Sequence, residues 1–187
     1  MVTLTVKKQT YQFMIFYYYY VIWTALNHID AYSFSKPENI TVYYDNHYKK
    51  EWFANFSNYP IKFVHFEHHS NRANQIIQRT NYDAKTYKIY LVNTDLLYNI
   101  HGIENYRIKG LSYLKGNMSV ITLKNMTDKN VVKVLTHEFA HGRGLPHCEH
   151  KDCIMNDAKG KYSNLKNCNE FKETCLLFMN KESKLKI

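Results

Sequence analysis

THEFAHGRGLPHC, Thr136 to Cys148, is the stretch on which the reading of this chain turns. It sets His137, Glu138, His141, Gly144 and His147 in the spacing H-E-x-x-H-x-x-G-x-x-H. On a helix, positions 137 and 141 lie one turn apart on the same face, so both imidazoles reach one ion. Glu138, next to the first ligand, points a carboxylate at water near that ion without binding the ion itself, as a general base must. Gly144 acts through its backbone. Lacking Cβ, it takes positive φ, ends the helix and swings the chain so that His147 returns to the same point. Pro146 suits that stop. A bare H-E-x-x-H arises by chance in surface helices; the added glycine and third histidine at fixed offsets make coincidence a poor account.

Upstream, Asp128 stands where a helix N-cap is expected, and Val131, Val132, Val134 and Leu135 lead apolar turns into the histidines. Before that, strand candidates alternate with helical stretches. Ile40–Tyr44, Ile61–Phe66, Tyr87–Val92 and Met118–Leu123 are rich in β-branched and aromatic residues. Between them, His47–Phe56 carries Tyr48, Trp52, Phe53 and Phe56 at helical spacing, and Asn71–Arg79 reads as a short helix capped by Asn or Ser. Gly110 and Gly116 bracket a loop before the last strand, and Asp95 caps the turn after the third. His65, His68 and His69 form a knot that reads as a solvated strand end, because His137, His141 and His147 already complete a catalytic ligand set.

Composition sets the outer bounds. With 187 residues, 45% hydrophobic and 22% charged, the chain has enough for one ordinary domain, here residues 36–187, and is not a disordered polymer. The net charge of +9 admits an anionic partner, but the lysines are spread along the chain. A solvated basic surface explains them, and no nucleic acid partner is expected.

Residues 1–35 differ in kind. Lys7 and Lys8 precede a run, Gln9 to Ile29, without Asp, Glu, Lys or Arg, whose middle is apolar and aromatic. That is the order of a secretory signal or N-terminal membrane anchor followed by a linker. An exported or membrane-anchored chain is expected, associating with the membrane through residues 9–29 where they are kept.

The order His147-Cys148, Cys153-Ile154-Met155 resembles the archaemetzincins, the metzincin branch in which cysteine follows the third histidine directly and a methionine lies two past the next cysteine. Gly110-Leu111-Ser112-Tyr113, Gly116 and Ser119-Val120-Ile121 are similar to the family's segment before the active site. The resemblance, over roughly Ile40 to Cys175, implies an α/β (α+β) metzincin-like fold: a small mixed, twisted sheet of about four to five strands backed by helices, an active-site helix and a short Cys-rich C-terminal subdomain. It implies a catalytic Zn2+ on His137, His141 and His147, Glu138 as base and acid, and Met155 as a Met-turn residue beneath the metal. It also implies a second, structural zinc on Cys148, Cys153, Cys168 and Cys175. The family's last cysteine pair is usually C-x-x-C, whereas six residues separate Cys168 from Cys175. Disulfides remain the alternative for these four cysteines, as an exported chain permits.

The function implied is zinc-dependent peptide-bond hydrolysis through a zinc-bound water, by a monomer acting on peptides or proteins. An extended substrate would pair with an edge strand, which by resemblance is Met118–Leu123 with Ser119, Val120 and Ile121; Tyr113 offers a donor to the oxyanion, but packing is its expected role. Two rivals come from other classes. One is a basic nucleic-acid module on a four-cysteine knuckle, which leaves His137, Glu138 and His141 unexplained; the other is a catalytically silent zinc scaffold, for which a base beside water is idle.

Overall fold

Alternating apolar residues on four strands make a sheet that buries both faces. In the computed structural model, residues 37–78, 81–100, 102–157 and 170–176 are described, all within the unit Ser35–Ile187. Residues 1–35, where an export signal or anchor is expected from sequence, and Cys168 lie outside the described residues. Among the described residues no helix is long and apolar enough to cross a membrane.

The strands are β1 (Asn39–Tyr44), β2 (Ile61–His65), β3 (Thr86–Val92), β4 (Leu96–Ile100), β5 (Ile103–Ile108), β6 (Gly110–Ser112) and β7 (Met118–Thr122). A 3-10 helix spans Lys50–Phe56, α1 spans Ala73–Ile76 and α2 spans Asp128–Gly142. The main sheet has the order β2-β1-β3-β7-β6; β2, β1, β3 and β7 run parallel and β6 is antiparallel at the edge. This is the mixed sheet backed by helices that the resemblance implies.

Side-chain alternation sorts the core. One face sends Ile40, Val42, Tyr87, Ile89, Leu91 and Ile121 against Trp52, Phe53 and Phe56 of the 3-10 helix and Val131, Val134 and Leu135 of α2. The other sends Val92, Met118 and Val120 against Ala73, Ile76, Ile77 and Leu96. Helix α2 therefore lies flat on the sheet with its last turns near the start of β7, where Lys115 N–H donates to His141 O and Asn117 N–H to Gly142 O.

Several expectations shift. The first helix begins at Lys50 rather than His47 and is a 3-10 helix, because Lys49 is extended at φ −121, ψ 131. The second covers only Ala73–Ile76: Arg72 is bridged to Leu97, and Ile77 is extended. Gly110–Ser112 is a strand, not a loop. The stretch from Leu96 to Ile108, which carries no clear periodicity, is the antiparallel hairpin β4–β5, turning near Gly102 at φ +78. His68 closes a strand end by joining Asp45 (2.9 Å) and the Ser70 carbonyl (2.7 Å).

The cap of α2 is Thr127, whose hydroxyl accepts from Asn130 N–H, and not Asp128. Asp128 is the first helical residue, and its carboxylate accepts from Lys49 Nζ (2.6 Å) and Trp52 Nε1 (3.1 Å). Thr127→Ala is expected to lower unfolding free energy in urea titration by about 1 kcal/mol; an unchanged midpoint would return the cap to Asp128.

Candidate metal centre and active site

The last two turns of α2 set the first two imidazoles. His137 Nδ1 faces the Ile154 carbonyl at 2.8 Å, and His141 Nδ1 faces the Leu145 carbonyl at 2.7 Å. A carbonyl only accepts, so each Nδ1 carries the hydrogen and each Nε2 keeps its lone pair. Those two Nε2 atoms lie 3.0 Å apart. His147 joins them: one nitrogen from each ring lies within 4.8 Å of the others. Bonds of about 2.0–2.1 Å to a tetrahedral zinc place nitrogen ligands about 3.4 Å apart, so this donor set fits zinc. Burial lowers the pKa of all three rings. For His141, burial and then the other two rings bring it to about 3. The rings are neutral at neutral pH, the form a metal takes.

His147 is delivered by the helix terminus. Gly144 sits at φ +99, its N–H donates to His141 O (2.8 Å), and Leu145 N–H donates to Ala140 O (2.9 Å). This pair of bonds is a Schellman motif, and Leu145 buries itself against Ala140 as the motif requires. Leu145 O then receives His141 Nδ1, so one turn both ends the helix and orients a ligand. The backbone thus does at Gly144 what the sequence spacing asks of it.

Glu138 is 6% exposed, and burial pushes its carboxyl up to about 7 against the lowering effect of the Ser112 hydroxyl. Its main-chain carbonyl accepts from Ser112 Oγ (2.8 Å) and Tyr87 OH (3.1 Å). Two further residues make room. A Cβ on Gly110 would lie 2.5 Å from Glu138 Oε1, and one on Gly142 would run into the Tyr87 hydroxyl. Sequence reasoning reaches Gly110 and Ser112 only through the family-like segment Gly110-Leu111-Ser112-Tyr113 and does not tie them to Glu138; nothing in the sequence signals the part that Tyr87 and Gly142 play around it.

Met155 is fully buried among Ala140, Leu145, Cys153, Ile154 and Cys175, inside a turn closed by Asn156 N–H on Cys153 O (3.0 Å). Cys148 N–H donates to Met155 O (2.8 Å), and Ile154 O holds His137. The segment around Met155 thus braces the first histidine. Cys148, Cys153 and Cys175 converge with their sulfurs within 4.8 Å of one another, all as free thiols. Burial raises the Cys153 thiol, but hydrogen bonds from the Lys172 and Met155 backbone and from Cys175 and Cys148 outweigh it and lower it; burial, then the Cys153 and Cys148 thiols, raise Cys175. Cys168, the fourth expected ligand, is outside the described residues.

The substrate strand needs correction. Ser119, Val120 and Ile121 are buried, and β7 is paired on both sides, by β3 and β6. Among the described residues, the edge strand beside α2 is β6. Tyr113 packs against the second core cluster.

The profile of peptidase family M54 matches residues 67–181. This chain belongs to peptidase family M54, the archaemetzincins. Solved structures agree in fold. Archaemetzincin from Methanopyrus kandleri has 15% identity and a TM-score of 0.66 over 80% of this chain and 97% of its own. Archaemetzincin from Archaeoglobus fulgidus, complexed with malonate, has 18% and 0.61 over 74% and 98%. A zinc-dependent peptidase from Methanocorpusculum labreanum has 16% and 0.54 over 76% and 100%. No curated protein matches. The chain is a zinc metallopeptidase of the archaemetzincin family, acting on peptides or proteins.

Gly144→Ala forces a side chain into positive φ and against Lys115 Cγ at 3.0 Å. It is expected to cost on the order of 1–2 kcal/mol in urea unfolding and to speed zinc loss to a chelator. Wild-type zinc retention in this variant would separate the glycine turn from the placement of His147.

Proposed function

We propose that this archaemetzincin hydrolyses peptide bonds in extended chains docked along the outer edge of β6, with Glu138 as general base and then general acid. The observation that carries the proposal is that the His137, His141 and His147 nitrogens lie within 4.8 Å of one another, with Glu138 next to the first of them on the helix. A zinc ion held by them supplies Lewis acidity toward water and toward the scissile carbonyl oxygen.

The protein's residues do the rest. Glu138 takes the proton of the attacking water and returns it to the departing amine; a carboxyl raised by burial suits both halves of that exchange near neutral pH. Thr122 N–H donates to Lys109 O at 3.0 Å. Bonded and non-bonded pairs alternate along an antiparallel ladder, so Leu111 bonds back to Val120 while the backbone groups of Gly110 and Ser112 face outward. An extended peptide adds there as a further strand, reading its main chain rather than its side chains.

The thiols of Cys148, Cys153 and Cys175, with Cys168, are proposed to hold a second, structural zinc. For residues 9–29, export or anchoring is inferred from sequence alone; recovery of the intact full-length chain in a soluble cytoplasmic fraction would overturn it.

Glu138→Ala is expected to retain its zinc and lose at least about 100-fold in cleavage of a peptide pool. Wild-type cleavage by this variant would remove Glu138 as the base. Metal analysis of the wild type is expected to give two zincs per chain, falling to one in Cys153→Ser; one zinc in the wild type would discard the cysteine site.

A further inference from the structure

We infer that Gly110 is a positioning residue: the space left by its missing side chain is where the Glu138 carboxylate sits. The inference rests on the reading of Glu138 as the base and adds what holds it in place.

The contact is close along the whole side chain. A Cβ on Gly110 would lie 2.5 Å from Glu138 Oε1, 2.6 Å from Cγ and 2.7 Å from Cδ, distances that real Cβ atoms do not keep. The backbone itself does not ask for glycine, since Gly110 is not at positive φ. A strand position with ordinary φ is weakened by glycine, so close approach by another group is the remaining reason for it. Neither backbone can step aside. Gly110 is in register with Ile121 of β7, and Ser112, two residues on and on the same face, donates to the Glu138 carbonyl at 2.8 Å. Tyr87 OH donates to that carbonyl from β3 at 3.1 Å. With both backbones tied, a methyl group at 110 displaces the carboxylate. Gly110 also turns its backbone groups to the outer side of β6, so one residue sets the spacing between a strand-paired substrate and the base.

The test compares wild type, Gly110→Ala, Glu138→Ala and the double variant. Gly110→Ala is expected to keep its bound zinc, hold KM within about twofold and lose roughly tenfold or more in kcat, as misplacing a reacting group by about an ångström does. Its thermal midpoint is expected to fall in the wild-type background and to stay level in the Glu138→Ala background, where no side chain remains to be displaced. Equal thermal losses in both backgrounds, or a wild-type kcat in Gly110→Ala, would overturn the inference. The thermal cycle needs no substrate: a wild type without peptidase activity sinks the proposed function, while the cycle still reads the contact.

Discussion

Lone pairs on neutral imidazoles repel when aimed at one another across 3.0 Å, and only a cation between them makes such an arrangement favourable. The fold holds that arrangement by fixing the far side of the rings. His137 is tied through Nδ1 to Ile154 and His141 to Leu145, two carbonyls from segments that follow the helix. Both anchors are main-chain groups, so their places depend on how the chain turns after Gly142 and again after Cys153. Burial then keeps the rings uncharged, which removes protons as competitors for the metal.

Those two turns are one packed unit. Ala140, Leu145, Cys153, Ile154, Met155 and Cys175 form a cluster apart from the sheet's two core layers. The thiol group lies in it, and Cys148 N–H on Met155 O closes the segment that begins at the third histidine. The cysteines thereby brace the turn that holds Met155, and that turn braces His137. A structural metal at the thiols would act on catalysis only through this backbone, never by touching the substrate.

What the sequence made legible was local. Thirteen consecutive residues, Thr136–Cys148, carry three histidines whose nitrogens converge, a buried glutamate on the same helix, the glycine turn and the first thiol of the cysteine cluster. Strands β1, β2, β3 and β7 were legible because their β-branched and aromatic residues form runs. Strand order was not. Ser119, Val120 and Ile121 read as an edge because nothing in their own residues reveals that β6, three residues long and begun by glycine, pairs outside them. The hairpin β4–β5 escaped for a related reason: its apolar residues do not alternate cleanly, and a register shift lies between Tyr98 and Ile100. Asp128 looked like a cap because Thr127 and Asp128 are both good capping residues, and only geometry tells which hydroxyl or carboxylate meets Asn130 N–H.

The brevity of β6 has a consequence for the molecule in a crowded solution. An unpaired strand edge invites other copies of the same chain to add to it, and long flat edges seed aggregates. Three residues give a visiting peptide a few main-chain bonds, enough to align it but too few to hold a neighbour for good. Under the docking proposed above, the sheet is left unfinished on one side for each substrate to complete briefly, and three residues are too short an edge for a lasting occupant.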